Sequence, residues 1–317
     1  MIWFAARKFL GFVVTVVIAA LVIFAALDLL PGDPARFILG ISATPESIAA
    51  LRAQLGLDLP LWQRFLGWLG HMLIGDFGVS YTQGQPVGAL IAGRLAVTLP
   101  LTFFAMVLSV AIGLPIGIFA ARQRGSLVDT GLTALAQLGV AVPNFWFGML
   151  LVLLFSVTLR WLPPGGFIPW LDNPLGAVSS LVLPSIALAL PQAAILARVM
   201  RTALVDVQQS DFIRAARARG MTMAEAVWRH GVRNALLPVL TILGLQFAFL
   251  VAGTVIVENV FYLPGLGRLI FDAVGARDLV LVRGAIVILV ITVSGTMFLT
   301  DIAYGWVDPR LRARSEQ

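Results

Sequence analysis

Residues 198–240 read RVMRTALVDVQQSDFIRAARARGMTMAEAVWRHGVRNALLPVL, with apolar runs free of charge on either side. Seven arginines between Arg198 and Arg233 make this stretch too polar to cross hydrocarbon. It nevertheless has the punctuation of two short helices. The first is expected over roughly Val205 to Arg219, ending at Gly220, a residue suited to the position after a helix end. The second is expected to open at Thr222-Met223-Ala224-Glu225, a capping box in which Thr222 caps the backbone and Glu225 reaches back. It should run to about Leu237, where Pro238 opens the next apolar run. Helix, glycine, helix at a membrane face makes a compact knob. Ala215, Ala216 and Ala218 are small enough for another protein's surface to approach the backbone, and Arg214, Arg217 and Arg219 form a basic rim. An ordinary positively charged loop would also carry the arginines. The small-residue patch beside a glycine, in a loop long for a helical bundle, favours a docking element.

Outward from this loop, charge-free runs mark the membrane spans. They are Phe9–Leu27, Leu95–Ala121, Thr130–Leu159, Asn173–Ala197, Asn234–Val257 and Gly284–Thr300, the last continuing past Asp301 towards Trp306. A helix needs about 20 apolar residues to cross the hydrocarbon, so six spans are expected. A β-barrel would show short alternating segments instead. Composition agrees: 59% of the 317 residues are hydrophobic and 12% charged, about half the charged share of soluble domains. The first run follows Arg7 and Lys8, but it exceeds the apolar core of a signal peptide, about 7–15 residues, and no small-x-small site follows it. A retained, peripheral anchor is expected.

Fourteen of the 22 basic residues fall in segments on the side of the 198–238 loop and the N-terminus, including Arg310, Arg312 and Arg314. That bias places both termini in the cytoplasm and the 31–94 loop outside. The net charge of +6 is therefore a topology signal, and no nucleic-acid partner is expected. In the outside loop, Thr44-Pro45 reads as cap and first helical residue and Gly56 as a stop, with Ile48, Leu51 and Leu55 on one face. Leu61–Ile74 carries Trp62, Phe65, Leu66, Leu69 and Leu73. Leu266, Leu269, Ile270, Ala273 and Val274 keep helical spacing. Both of these last stretches are expected at the membrane surface or in the outer mouth.

Several chemistries lack their residues. There is no cysteine, and His71 and His230 are far apart in sequence, so no metal ligands or cofactor are expected on this chain. A P-loop needs a lysine, and the only one is Lys8. No HExxH or paired intramembrane aspartates suggest a membrane protease. An ion-coupled secondary transporter would want ionisable groups deep in the bilayer. Asp301 reads better as an interfacial partner of the arginines at 310–314, and Glu258 as a loop or gate residue at the outer edge of span five. Gln192 and Gln246 are explained as well by helix–helix hydrogen bonds as by solute contact.

The stretch at 211–240 resembles the EAA loop of ABC importer permeases, in the variant found in the dipeptide, oligopeptide and nickel permease family. PGDP at 31–34, GDFGVS at 75–80, VENVFYLPGLGRL at 257–269 and DPRLR at 308–312 match in family order, and the pattern resembles the first of that family's two paired permeases. The general motif has a glutamate where this chain has Arg214. The peptide variant has an arginine there and an acid one turn earlier, matched by Asp211. The resemblance implies an all-α, type I importer bundle in the inner membrane. Its parts would be a first helix at 1–30, an extracytoplasmic loop at 31–94, a five-helix core at 95–309 and a tail at 310–317. The core would include the coupling loop at 205–237 and an outer loop at 258–283. It implies a second homologous permease, two cytoplasmic ATP-binding subunits and an extracytoplasmic solute-binding protein as partners, in contact with membrane lipid. Asp211, Arg214, Ala215, Ala216, Arg217, Gly220 and Glu225 would then contact the ATPase, and Glu258, Pro264 and Gly265 would form an outer gate. Peptides of two or more residues are the first choice of solute, with glutathione-like compounds and chelated nickel as alternatives.

Overall fold

The computed structural model describes residues 2–29, 33–40 and 43–307. Pro31 and Gly32 of the PGDP motif, the DPRLR motif and the arginines at 310, 312 and 314 lie outside the described residues. Every helix-length element is helical: α1 (Ile2–Asp28), α2 (Pro34–Leu39), α3 (Pro45–Gln54), α4 (Leu61–Leu73), α5 (Val87–Arg122), α6 (Leu127–Ala141), α7 (Asn144–Leu151, continued by π-helical turns over Val152–Thr158), α8 (Pro174–Gln208), α9 (Asp211–Ala218), α10 (Met223–Ala226), α11 (Val232–Val260), α12 (Leu266–Gly275) and α13 (Leu279–Val307). A π-helical turn at Val227–Gly231 joins α10 to α11.

Five runs are long and apolar enough to cross a bilayer: α1, α5, α8, α10–α11 and α13. The sixth span, read from the sequence as one run over Thr130–Leu159, is two helices, α6 and α7, bent by 99°. The cause is Pro143. It has no N–H to give and pushes the preceding residue out of helical geometry, and Val142 sits at φ −80°, ψ 123°.

Other helices outrun the charge-free segments that announced them. α5 starts eight residues before Leu95 and carries Arg94 in its second turn, and α8 continues from Ala197 to Gln208. A charge ends an apolar run without ending a helix, since arginine is a good helix former. For the same reason the 31–94 loop stops at Pro86. Pro238 does not open a span but lies in the second turn of α11.

α8 is the central pole. Of its most apolar stretch 72% is buried, against 28% for α5 and 11% for α1. It packs most extensively on α5, where Ser109, Gly113 and Gly117 of α5 face Ala189, Ala193 and Ala197 of α8. Small residues at four-residue spacing let two backbones approach, which is how helices associate without a hydrophobic drive in lipid. α1 is peripheral, laid on α13 and α4 through Phe9, Phe12 and Phe298 at one end and Phe24, Phe65 and Trp68 at the other. Asp301 pairs with Lys8 of α1 at 2.7 Å; the tail arginines expected as its partners from sequence lie outside the described residues.

The amphipathic stretches resolve similarly. Thr44 caps α3 in a reciprocal box with Ser47, and Gly56 stops it at φ 64°. α4 turns Met72, Trp68 and Leu69 onto α1 and α13 and leaves Trp62, Leu66 and Leu73 exposed, so its apolar residues cover two faces. α12 buries Leu266, Leu269 and Ala273 but exposes Val274.

Candidate functional site

At one end of the bundle α8 emerges as the stalk of the 198–238 segment. Val205–Gln208 are its last turn, and the chain breaks at Gln209-Ser210 before α9. The first knob helix is therefore shorter than the expected Val205–Arg219. Gly220 sits at φ 93°, the left-handed geometry expected after a helix end. Thr222 caps α10 by accepting from the Glu225 N–H at 3.2 Å. Glu225 is solvent-exposed and makes no return bond, so half of the expected box forms.

α9 has two faces. Ile213 and Ala216 pack inward with Ala226, against Val207 and Met221. Asp211, Arg214, Ala215, Arg217 and Ala218 are exposed, as is Arg219 just beyond. The three small alanines thus divide: Ala215 and Ala218 present backbone to the outside, whereas Ala216 holds the knob together. Asp211 pairs with Arg214 at 3.4 Å, both highly exposed, and Arg214 also donates to the Gln209 carbonyl at 3.0 Å. Exposed pairs of this kind are weak, so both groups stay available to a partner.

Sequence reading missed two features here. Phe212, Met223 and Trp228 are exposed on the knob, Trp228 at 66%, and large apolar groups on a segment barred from lipid mark a contact surface. Their isolation among arginines was the available signal. Asp129 of α6, 4% exposed, forms a two-point ion pair with Arg201 of α8, with an Nη2–Oδ2 distance of 2.6 Å, and accepts from the Gly125 N–H at 3.0 Å. This clamp fixes the stalk nearly three helical turns before α9. Nothing in the linear spacing of these residues pairs them.

At the opposite end, Glu258 belongs to the last turns of α11 and is fully buried. Its carboxylate accepts from the Thr98 hydroxyl at 2.6 Å and from the N–H groups of Gly267 and Arg268 at 2.8 and 3.2 Å; Thr98 in turn accepts from the Leu266 N–H at 2.8 Å. A Cβ on Gly265 would overlap that carboxylate. Gly265 is buried and Pro264 half-buried. The three proposed gate residues thus come together as a clasp joining α5, α11 and the start of α12. Glu258→Ala is expected to orphan three donors, two of them buried, and cost on the order of 3 kcal/mol, read as a lower unfolding temperature in detergent. An unchanged midpoint would remove the clasp role.

GDFGVS is clasped similarly. Asp278, the residue before α13, accepts from the Ser80 hydroxyl at 2.6 Å, the Thr82 hydroxyl at 2.9 Å and the N–H groups of Thr82 and Leu281 at 3.1 Å each. Burial pushes its carboxyl up, but these donors outweigh burial and hold it below the usual range. Within the motif, the Gly78 N–H donates to Asp76 at 2.9 Å and lowers its pKa.

Between the two ends, Gln246 Nε2 donates to the Gln192 carbonyl at 3.0 Å, joining α11 to α8. The amide oxygens of both glutamines are buried without a partner among the described residues.

A helical bundle with an exposed, basic, small-residue helix at one end has the form of a transporter's membrane subunit, and sequence comparison settles which kind. Residues 113–313 match the model of the binding-protein-dependent transport system inner membrane component, and residues 1–102 match the model of its N-terminal part. The chain belongs to this family of ABC importer permeases. The permease is 44% identical over 295 residues to a protein of Brucella abortus (strain 2308) named as a peptide transport system permease, covering 93% of this chain and 94% of that one. It is 40% identical over 312 residues to the glutathione transport system permease protein GsiC of Salmonella typhimurium, covering 98% and 99%. In fold it is similar to the MetNI methionine ABC transporter in inward-facing form. That likeness has a TM-score of 0.57 and 21% identity, and it covers 69% of this chain and 96% of that one. The permease is thus a multi-pass membrane subunit of an ABC importer, distinct from the ATPase.

Proposed function

We propose that this permease forms half of a path for peptides of two or more residues, beside a second homologous permease. Two separate ATP-binding subunits dock on the α9 knob, and an extracytoplasmic solute-binding protein docks on the opposite end. The observation that carries the coupling role is the exposed face of α9, with Ala215, Ala218 and three arginines set on a stalk clamped by Asp129 and Arg201. Closure of the ATPases would push on α9 and, through the rigid stalk, on α8 and the helices packed around it. Each ligand must then favour one of two states of the bundle. Asp211, Arg214, Arg217, Gly220 and Glu225 fit a contact surface; Ala216 supports it from within. The distribution of basic residues supports a cytoplasmic knob and cytoplasmic termini. The relatives named for peptides and for glutathione, itself peptide-like, support the solute class.

The test is uptake by proteoliposomes holding the permease with its co-purified subunits. Labelled di- and tripeptides, glutathione and a nickel chelate would be compared, with and without ATP. Peptide uptake that needs ATP and the ATPase subunits is expected. Uptake by the permease alone on an ion gradient would refute the ATP-driven reading, and a preference for the chelate would refute the peptide one. Orientation is tested in intact spheroplasts, where a cysteine replacing Ser47 is expected to react with an impermeant thiol reagent.

A further inference from the structure

At the end away from the knob, a cavity of about 750 Å³ lies between α1, α4 and the start of α13, roofed by the turn after α3. Phe24, Asp28, Arg64, Trp68, Tyr81 and Arg283 are among its walls. The Arg283 guanidinium lies 4.5 Å from the Phe24 ring centroid and 5.4 Å from that of Trp68. Its Nε is buried with no acceptor, and the guanidinium has no carboxylate partner among the described residues. Arg64 approaches the same Phe24 ring at 5.9 Å and pairs with Asp28. At the roof, Arg52 is taken by Asp33 and Asp58. Two guanidinium groups therefore share the Phe24 ring, but the one carboxylate beside them, Asp28, is taken by Arg64, and Arg283 is the cation left over. Aromatic faces offset part of the cost of burying a cation, but a half-buried guanidinium whose inner Nε has no anionic or hydrogen-bonding partner is still costly.

We propose that this cavity binds the phosphate of an anionic phospholipid, with Arg283 and Arg64 as its ligands. A guanidinium fork matches phosphate oxygens in pairs, and an incoming anion would supply the acceptor that Arg283 lacks. The source is lipid because of where the cavity lies. Asp28 ends α1 and Arg283 falls in the second turn of α13, the level of headgroups, where tryptophan and tyrosine also gather. The neighbouring surfaces are lipid-ready: α1 exposes Leu21 and Val22, and α4 exposes Trp62, Leu66 and Leu73. The cavity's other walls include Leu27, Leu57 and Leu59, which suit a glycerol and acyl stem and would be wasted on a free ion. The site would add a further tie between the peripheral α1 and the bundle, whatever solute the permease carries.

The full-length permease, purified with its co-assembling subunits, tests this by native mass spectrometry and thermal unfolding with added dioleoyl phosphatidylglycerol, dioleoyl phosphatidylcholine or glycerol 1-phosphate. Retention of phosphatidylglycerol at least tenfold over phosphatidylcholine is expected, with a raised unfolding temperature. Arg283→Gln should lower that retention at least tenfold and abolish the thermal shift, and Arg283→Lys should keep part of both. Arg64→Gln serves as a second variant should Arg283→Gln not fold, with the same loss expected. Equal retention of the two lipids, or unchanged retention in both glutamine variants, overturns the site. Glycerol 1-phosphate stabilising as strongly as phosphatidylglycerol overturns the lipid assignment.

Discussion

Ala215→Glu is expected to reduce ATP-driven uptake more than a hundredfold while the permease still folds and inserts, whereas Ala216→Glu is expected to unfold the knob. The two positions are adjacent but face opposite ways. Ala215 is exposed, so a glutamate there costs nothing in the isolated permease. In a close-packed contact with an ATPase the same side chain brings bulk and an unpaired charge, at a cost of several kcal/mol once desolvated. Ala216 is 8% exposed and packed with Ile213 and Ala226. A glutamate there loses its water before any partner arrives, and the local helix has little else to hold it. Limited trypsin digestion at Arg217 and Arg219 separates the cases. Ala215→Glu should digest like the parent yet fail to co-purify the ATPases; Ala216→Glu should be cut quickly. Gly220→Val should be milder, since the position is open and only the φ of 93° is strained. Normal uptake by assembled Ala215→Glu would leave α9 a solvated loop.

That contrast also shows what sequence reading could reach. Five of the six spans, the peripheral first helix, the Thr44 and Thr222 caps and the left-handed Gly220 were legible because each rests on local chemistry: charge-free length, a hydroxyl before a first turn, a glycine after a last one. Facing was not. Ala215 and Ala216 look equivalent in a string of alanines, and only the packing of Ile213 and Ala226 tells them apart. Pro143 was visible in the run 130–159, yet a proline can be absorbed by a helix, as Pro115 and Pro191 are in α5 and α8. The 99° break needed its surroundings. Long-range polar partners were the least legible. Glu258 with Thr98, Asp278 with Ser80 and Asp129 with Arg201 join residues between 72 and 198 positions apart. In each, the sequence contains the acid and gives no sign of its donor. The matched motifs at 75–80 and 257–269 turn out to be where two of these clasps sit.

Gly117→Leu is expected to prevent recovery of folded permease, and Gly117→Ala to lower its unfolding temperature by several degrees. Gly113-Leu-Pro-Ile-Gly117 is a GxxxG pattern inside an apolar run, and it is where the two central helices touch. A Cβ on Gly117 would lie 2.5 Å from the Ala197 carbonyl oxygen and 2.8 Å from the Met200 Cβ; one on Gly113 would lie 2.6 Å from the Ala193 oxygen. Both obstacles include backbone, which cannot rotate aside, so α5 and α8 must part. Separation also weakens the 3.2 Å bond from Ser109 to the Ala189 carbonyl two turns away. In water, burial of apolar surface would pull such a gap closed. In lipid the outside is as apolar as the inside, so lost van der Waals contact is not regained. Overpacking a tight interior costs about 1–3 kcal/mol in soluble proteins, and a leucine against fixed backbone sits at or beyond the upper end. Gly93→Ala on the same helix is the control, since nothing lies within 4 Å of its Cβ position; it is expected to match the parent or exceed it slightly. Unfolding midpoints in detergent for the three variants decide the matter. A Gly117→Leu protein as stable as the Gly93→Ala control would mean that α5 and α8 do not meet along this stripe.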